Sequence, residues 1–488
     1  MKLIVSAWFC LIIFIETEAF QVTRLHLHDP PISKDVPLPP DQWFKQKLDH
    51  FDPTNTKTWM QRYGVNDTFA KVIENAPVFL MIGGEGEASP KWLVTGAWID
   101  YAQRFGALCF QLEHRYYGKS RPTADMSTQN LRYLSSEQAL ADLAYFIEAM
   151  NEKYNLDESN KWIAFGGSYP GSLAAWLRYK YPHLVHAAVS TSGPLLAIAD
   201  FKKYNEVVRR SLGTFSDDCT ASVSEATQHF DKLVQHKLGG DLISKKFKLC
   251  SPIDISLKKD VSSLATILAD NFAGIVQYNK DNRISSSPTG NVTIDDLCKI
   301  MIDRSLGEPL DRYAAVNSYM MGLESVKCLN YSYADSINEM RNITWADNPG
   351  AGGRQWFYQT CTEFGFYQTS SSSDELFGSN FPLSFFTKQC KDVFGESFNQ
   401  NLLNLGIERT NTMYGDLHLK VSRVLFVHGS IDPWHALGIT YSRNPKAPAI
   451  FIRGTAHCAN MYPPSPKDLP QLTNARIHIS NHLAKWLF

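Results

Sequence analysis

The chain has 488 residues, of which 44% are hydrophobic, 20% charged and 12% aromatic, with a formal net charge of −1. That composition is ordinary for a globular enzyme and sufficient for a large core, with room for one large domain carrying an insertion. The near-neutral balance offers neither a basic stripe for nucleic acid nor a polybasic patch for a membrane surface, so neither partner is expected.

In chain order, residues 1–19 come first. Lys2 precedes the apolar run "LIVSAWFCLIIFI", and Thr17 and Ala19 supply small residues after it. This pattern predicts a secretory signal peptide, too short for a stable span. Four N-x-S/T sequons agree with a secreted, lysosomal or other secretory-pathway location, and predict glycosylation at Asn66, Asn291, Asn330 and Asn342. Beyond Cys10 there are eight cysteines, an even number that suggests disulfides without disclosing their connectivity. No C-x-x-C or H-E-x-x-H occurs, so no metal and no cofactor is expected.

Residues 20–40 are proline-rich and read as loop. Continuous apolar runs then suit strands buried on both faces, at 77–83, 107–113, 161–166 and 186–193, and again at 423–429 and 449–455. Between them, "SSEQALADLAYFIEAM" has helical spacing, with Ser135 and Gln138 placed as a capping box. Alternating strands and helices predict an α/β sheet. From about 200 to 350 the strand runs stop and charged helical stretches take over, as expected of a helical insertion. The expected division is thus a sheet domain in two parts, 20–199 and 351–488, interrupted by a cap at 200–350.

"KWIAFGGSYPGSLAAWLRYKYP" reads as a strand, a tight turn and a helix with Ser168 at the crest. A serine nucleophile needs small neighbours, which Gly166, Gly167 and Gly171 provide; Pro170 falls in the helix's first turn, where a missing N–H costs nothing. Such a serine needs a base oriented by a carboxylate, in the chain order Ser, Asp, His. Asp432 in "HGSIDPW" and His457 in "GTAHC" follow late strands and fit that order. His428 and His435 are competing bases, expected instead to pack or to meet solvent. The expected oxyanion hole is the Tyr169 N–H plus a donor from the "GGEGEAS" loop, at Gly84. No G-x-G-x-x-G opens a helix, which argues against a dinucleotide.

Together "QKLDHFDP", "EHRYYGKS", "GGSYPGSLAAWLR", "RQWFYQTCTEFGFYQT", "GSIDPW" and "GTAHC" resemble the S28 serine peptidases from about residue 43 to the C-terminus. The resemblance implies an α/β-hydrolase domain with an inserted helical cap. Ser168 would be the nucleophile, His457 the proton shuttle and Asp432 the orienting carboxylate. It implies the disulfides Cys219–Cys298, Cys250–Cys328 and Cys361–Cys390, leaving Cys109 and Cys458 over. The implied activity is proline-directed exopeptidase action on short peptides, of Pro-Xaa carboxypeptidase or dipeptidyl peptidase type, with Trp356, Tyr358 and Trp434 lining the pocket. Phe357 stands where the dipeptidyl branch has an acid. A homodimer is compatible with the sequence. The alternatives are a lipase or carboxylesterase of the same fold, against which the flanking motifs argue, and an inactive binding protein, against which the intact Ser, Asp and His argue.

Overall fold

A computed structural model describes residues 28–33, 35–280, 288–345 and 352–488. The expected signal peptide at 1–19 lies outside them. The described residues hold ten strands: β1 Gln42–Lys47, β2 Thr58–Asn66, β3 Val78–Ile82, β4 Leu108–Leu112, β5 Trp162–Gly167, β6 Ala187–Thr191, β7 Ile198–Asp200, β8 Gly365–Tyr367, β9 Val424–Gly429 and β10 Ala449–Ile452. Eight of them form one sheet in the order β1-β2-β4-β3-β5-β6-β9-β10. The first two ladders, β1·β2 and β2·β4, are antiparallel, and the rest are parallel. This is the α/β-hydrolase arrangement, and each of the six apolar runs is one of its strands.

The strands of the centre are buried on both faces, and the faces alternate. Val78, Leu80 and Ile82 join one core, while Phe79 and Met81 join the other with Trp98, Phe165 and Ile479. β1 and β2 carry the pattern of an edge instead, with exposed and buried residues intermixed. They escape an apolar-run search for that reason.

Two quoted motifs turn out to hold this edge to the sheet. Arg115, fully buried, donates to both carboxylate oxygens of Asp142 at 2.6 Å, and His50 Nε2 reaches the same carboxylate at 2.8 Å. The buried charge is thereby matched, which alone makes its burial tolerable. Ser135 caps helix Ser136–Tyr154 by accepting from Gln138 N. The capping box is not reciprocal, however: Gln138 Nε2 donates to Asp49, and its Oε1 accepts from His50 N.

Between β6 and β9 the chain leaves the sheet. Among the described residues seven α-helices run from Lys203 to Arg341, joined internally by Cys219–Cys298 and Cys250–Cys328. Helices continue past 350, through Gly353–Gln359 and Leu383–Phe394 to Gln400–Tyr414, with Cys361–Cys390 among them. The return to the sheet is therefore at β9. Short strands β7 and β8 pair in parallel. All three disulfides match the pairing implied by the resemblance, and Cys109 and Cys458 are free and buried.

The sequons divide. Asn291, Asn330 and Asn342 are exposed. Asn66 is not: it ends β2, is 9% exposed and donates Nδ2 to Leu93 O at 2.7 Å. The expectation of a glycan there is corrected, because the attachment nitrogen is turned into the protein.

Candidate active site

Ser168 follows β5 directly and caps helix Tyr169–Lys180. Its backbone is at φ 64° and ψ −135°, a region costly for a residue with a Cβ. The turn is tight enough to exclude side chains nearby. A Cβ on Gly166 would lie 2.1 Å from Pro170 O, and one on Gly171 would lie 2.3 Å from Thr191 O. Ser168 N donates to Thr191 O at 3.0 Å, which pins the crest to β6.

Asp432 and His457 converge on this crest from the loops after β9 and β10. Both are completely buried, and His457 Nδ1 meets Asp432 Oδ1 at 2.9 Å. The Asp432 carboxylate also accepts from Trp434 N at 3.0 Å. Burial opposes the charge on each partner, but their mutual attraction outweighs it, so Asp432 is held below the usual carboxylate range. His457 is held well above its ordinary value, with the adjacent Cys458 thiol contributing after Asp432. His457 Nε2 is buried and makes no hydrogen bond, so it is not bonded to Ser168. Such contacts commonly tighten only when substrate is bound.

The competing histidines are accounted for by packing. His428 is 1% exposed, so it does not meet solvent, and burial pushes its imidazole down to about 4. Its ring fills the space over Gly438, where a Cβ would come within 2.0 Å of it. His435 is partly buried against Phe451, with ring centroids 5.2 Å apart.

The two backbone groups expected to form an oxyanion hole, at Tyr169 and Gly84, adjoin the Ser168 turn. The Tyr169 N–H opens its helix and is one of the donors that a helix cannot satisfy internally. Gly84 abuts the same turn, since a Cβ there would stand 2.3 Å from the Pro170 ring. Its neighbour Glu85 is a residue that the glycine-based reading missed. Glu85 is 4% exposed, faces the Ser168 side chain and feels the charge of His457. Burial pushes its carboxyl up to about 7. The signal was in the loop sequence, but nothing local reveals that an acid there will be buried.

A cavity of about 160 Å³ opens next to the Asp432–His457 pair, with Trp434 and Gln277 on its wall. Trp356 and Trp434 both line it, with Phe357, Phe366, Phe381 and Phe386. Gln277, the last residue of helix Lys258–Gln277, links cavity to triad: its carbonyl accepts from His457 N at 2.9 Å, and its Oε1 accepts from Trp434 Nε1 at 3.0 Å. Tyr358 is the pocket residue that must be corrected. It points off the other side of helix Gly353–Gln359, against Phe394 and Phe398 at centroid distances of 5.4 and 5.8 Å, and does not line the cavity. Helix positions two apart diverge by about 200°, so Trp356 and Tyr358 face opposite sides.

Residues 46–479 match the family model described as Serine carboxypeptidase S28. The chain belongs to the S28 serine peptidases. A Caenorhabditis elegans protein is 40% identical over 453 residues, covering 91% of this chain and 87% of the relative. The mouse thymus-specific serine protease is 37% identical, covering 92% of this chain and 88% of its own. The human lysosomal Pro-X carboxypeptidase is 28% identical, covering 91% and 88% respectively. This S28 peptidase is accordingly a serine-type hydrolase of peptide bonds. Among the described residues no helix is long and apolar enough to cross a membrane.

Proposed function

We propose that Ser168, His457 and Asp432 form the catalytic triad of a proline-directed exopeptidase acting on short peptides. The observation that carries this reading is the buried Asp432–His457 pair beside a strained serine crest. Asp432 holds the imidazole with Nε2 facing outward. Nε2 takes the Ser168 proton as Oγ attacks the substrate carbonyl, and returns it to the leaving amine. The oxygen that becomes negative is received by the N–H groups of Tyr169 and the Gly84 loop.

Proline fixes its own φ and has no N–H, so a site that accepts it must identify the ring by shape. The aromatic cavity with Trp356 and Trp434 supplies such walls. The proline specificity named for the human relative supports the same assignment. The helical insertion is the roof over this site: it was expected at 200–350, and its described helices run from Lys203 as far as Tyr414, while the sheet strands before it and from β9 onward are the base. The disulfides and the exposed Asn291, Asn330 and Asn342 support a glycoprotein that folds in the secretory pathway and ends outside the cell or in the lysosome.

A fluorophosphonate probe should label the protein, and Ser168→Ala should lose both label and turnover while keeping the native melt. Persistent peptidase activity in that variant would defeat the triad. Matched peptides with proline or alanine before the scissile bond should differ in kcat/KM by roughly 1–3 kcal/mol of transition-state binding. Equal turnover would leave an unspecific serine peptidase.

A further inference from the structure

The crest at Ser168 is held in a costly conformation, and such backbone persists only where its surroundings over-determine it. On the strand side the hold is the bond from Ser168 N to Thr191 O. On the helix side it is the side chain of Tyr169, which is 1% exposed and tied at its far end. His114 Nδ1 lies 2.7 Å from the Arg115 carbonyl, which can only accept, so Nδ1 carries the proton of the neutral ring. Burial keeps that ring neutral by holding it down to about 4. His114 Nε2 is therefore an acceptor, and the Tyr169 hydroxyl donates to it at 3.1 Å. The same oxygen accepts from Gln359 Nε2 at 3.1 Å, while Gln359 Oε1 accepts from the Tyr117 hydroxyl at 2.7 Å. His114, Tyr117 and Gln359 are all buried.

His114 and Tyr117 belong to "EHRYYGKS", after β4, and Gln359 ends helix Gly353–Gln359, so two distant segments converge on one hydroxyl. Trp356 of that helix packs against the Tyr169 ring at a centroid distance of 5.5 Å, and Phe364 at 5.4 Å. Apolar packing is non-directional. It confines the ring, and the two directed hydrogen bonds set where the ring stops. The peptide plane that carries the Tyr169 N–H lies between the strained Ser168 and this anchored side chain, so a shift of the ring turns the N–H. We propose that the Tyr169 hydroxyl, held by His114 and Gln359, positions the Tyr169 N–H toward the oxygen that becomes negative during acyl transfer. This rests on the readings given above, Ser168 as nucleophile and the Tyr169 N–H as an oxyanion donor. The three side chains are positioning residues, acting through the backbone of the crest.

Fluorophosphonate labelling, followed against probe concentration at a temperature where each variant is folded by its melt, separates binding from the covalent step. Outright loss of an oxyanion donor costs about 10²–10³ in rate, so a misaimed one should cost part of that. Tyr169→Phe deletes one oxygen and keeps the ring. It should lower the maximal labelling rate about 10–100-fold and leave the half-saturating probe concentration unchanged. His114→Leu should slow labelling to the same extent, and His114→Gln, which brings a side-chain oxygen to the place of Nε2, should recover most of the rate. A wild-type maximal rate in Tyr169→Phe overturns the assignment. So does equal slowing in the two His114 variants, or a loss confined to the half-saturating concentration. A wild-type protein that takes no label, or a Ser168→Ala variant that still takes it, defeats the nucleophile reading and this proposal with it. Normal Ser168 labelling with no effect of Tyr169→Phe defeats this proposal alone.

Discussion

Glu85 stands 4% exposed beside Ser168 and His457, and desolvation raises its carboxyl to about 7 from an ordinary 4.5. A carboxyl raised in the folded state binds its proton more tightly there than in the unfolded chain. Its contribution to stability is therefore fully present below the unfolded value and is lost as pH climbs through the folded one. His114 and His428 act with the opposite sign, because burial holds both down to about 4 from 6.5 and stability falls as pH drops through that interval. Glu85→Gln mimics the protonated carboxyl. Relative to wild type, it should be level at about pH 4 and more stable by about 3 kcal/mol at about pH 8. Urea denaturation of both proteins across pH measures the gap, and a gap independent of pH would contradict the shift. Asp432 and His457, which the structure pairs, were legible at this scale because chain order and loop position are sequence properties. Glu85 and Gln277 were not, since each acquires its place from what is packed against it. Tyr358 misled because two aromatic residues two places apart in a helix look equivalent on paper.

At the scale of elements, the strand–turn–helix around Ser168 depends on missing side chains. Gly166→Ala would drive a Cβ to 2.1 Å from Pro170 O and 2.4 Å from Pro170 C, both of them backbone atoms that cannot swing aside. The turn must open, which should cost about 1–3 kcal/mol as overpacking does. It should also slow fluorophosphonate labelling at least about 100-fold, in line with misplacing a reacting group by about an ångström. Labelling at the wild-type rate would show that the elbow does not require this glycine. Pro170, the departure from the usual motif, has a positive use here: its ring packs on Gly84 and so joins the nucleophile's helix to the loop after β3. β1 and β2 were missed because an antiparallel edge carries intermixed exposed and buried residues, whereas the central strands announce themselves as unbroken apolar runs.

For the whole molecule, the proposed roof sets what can reach Ser168, which is 6% exposed. Short unfolded peptides should be cut at least about 100-fold faster than the same sequences inside a folded protein, a comparison open to mass spectrometry of matched digests. Efficient cleavage within native globular substrates would count against the roof. Fold class and the three disulfide pairings were present in the sequence and its family resemblance. They rest on local periodicity, on the chain order of a few residue types and on a family's motifs, none of which needs distant contacts. Tertiary structure alone decided which asparagine is buried, where the chain rejoins the sheet and which aromatic residues face the cavity. It alone put the acid Glu85 beside Ser168 and the end of helix Lys258–Gln277 against His457. Burial and distance belong to pairs of residues far apart in the chain. A carboxyl's charge, an asparagine's access to a glycan and a tryptophan's place in a pocket are therefore fixed only when those pairs meet.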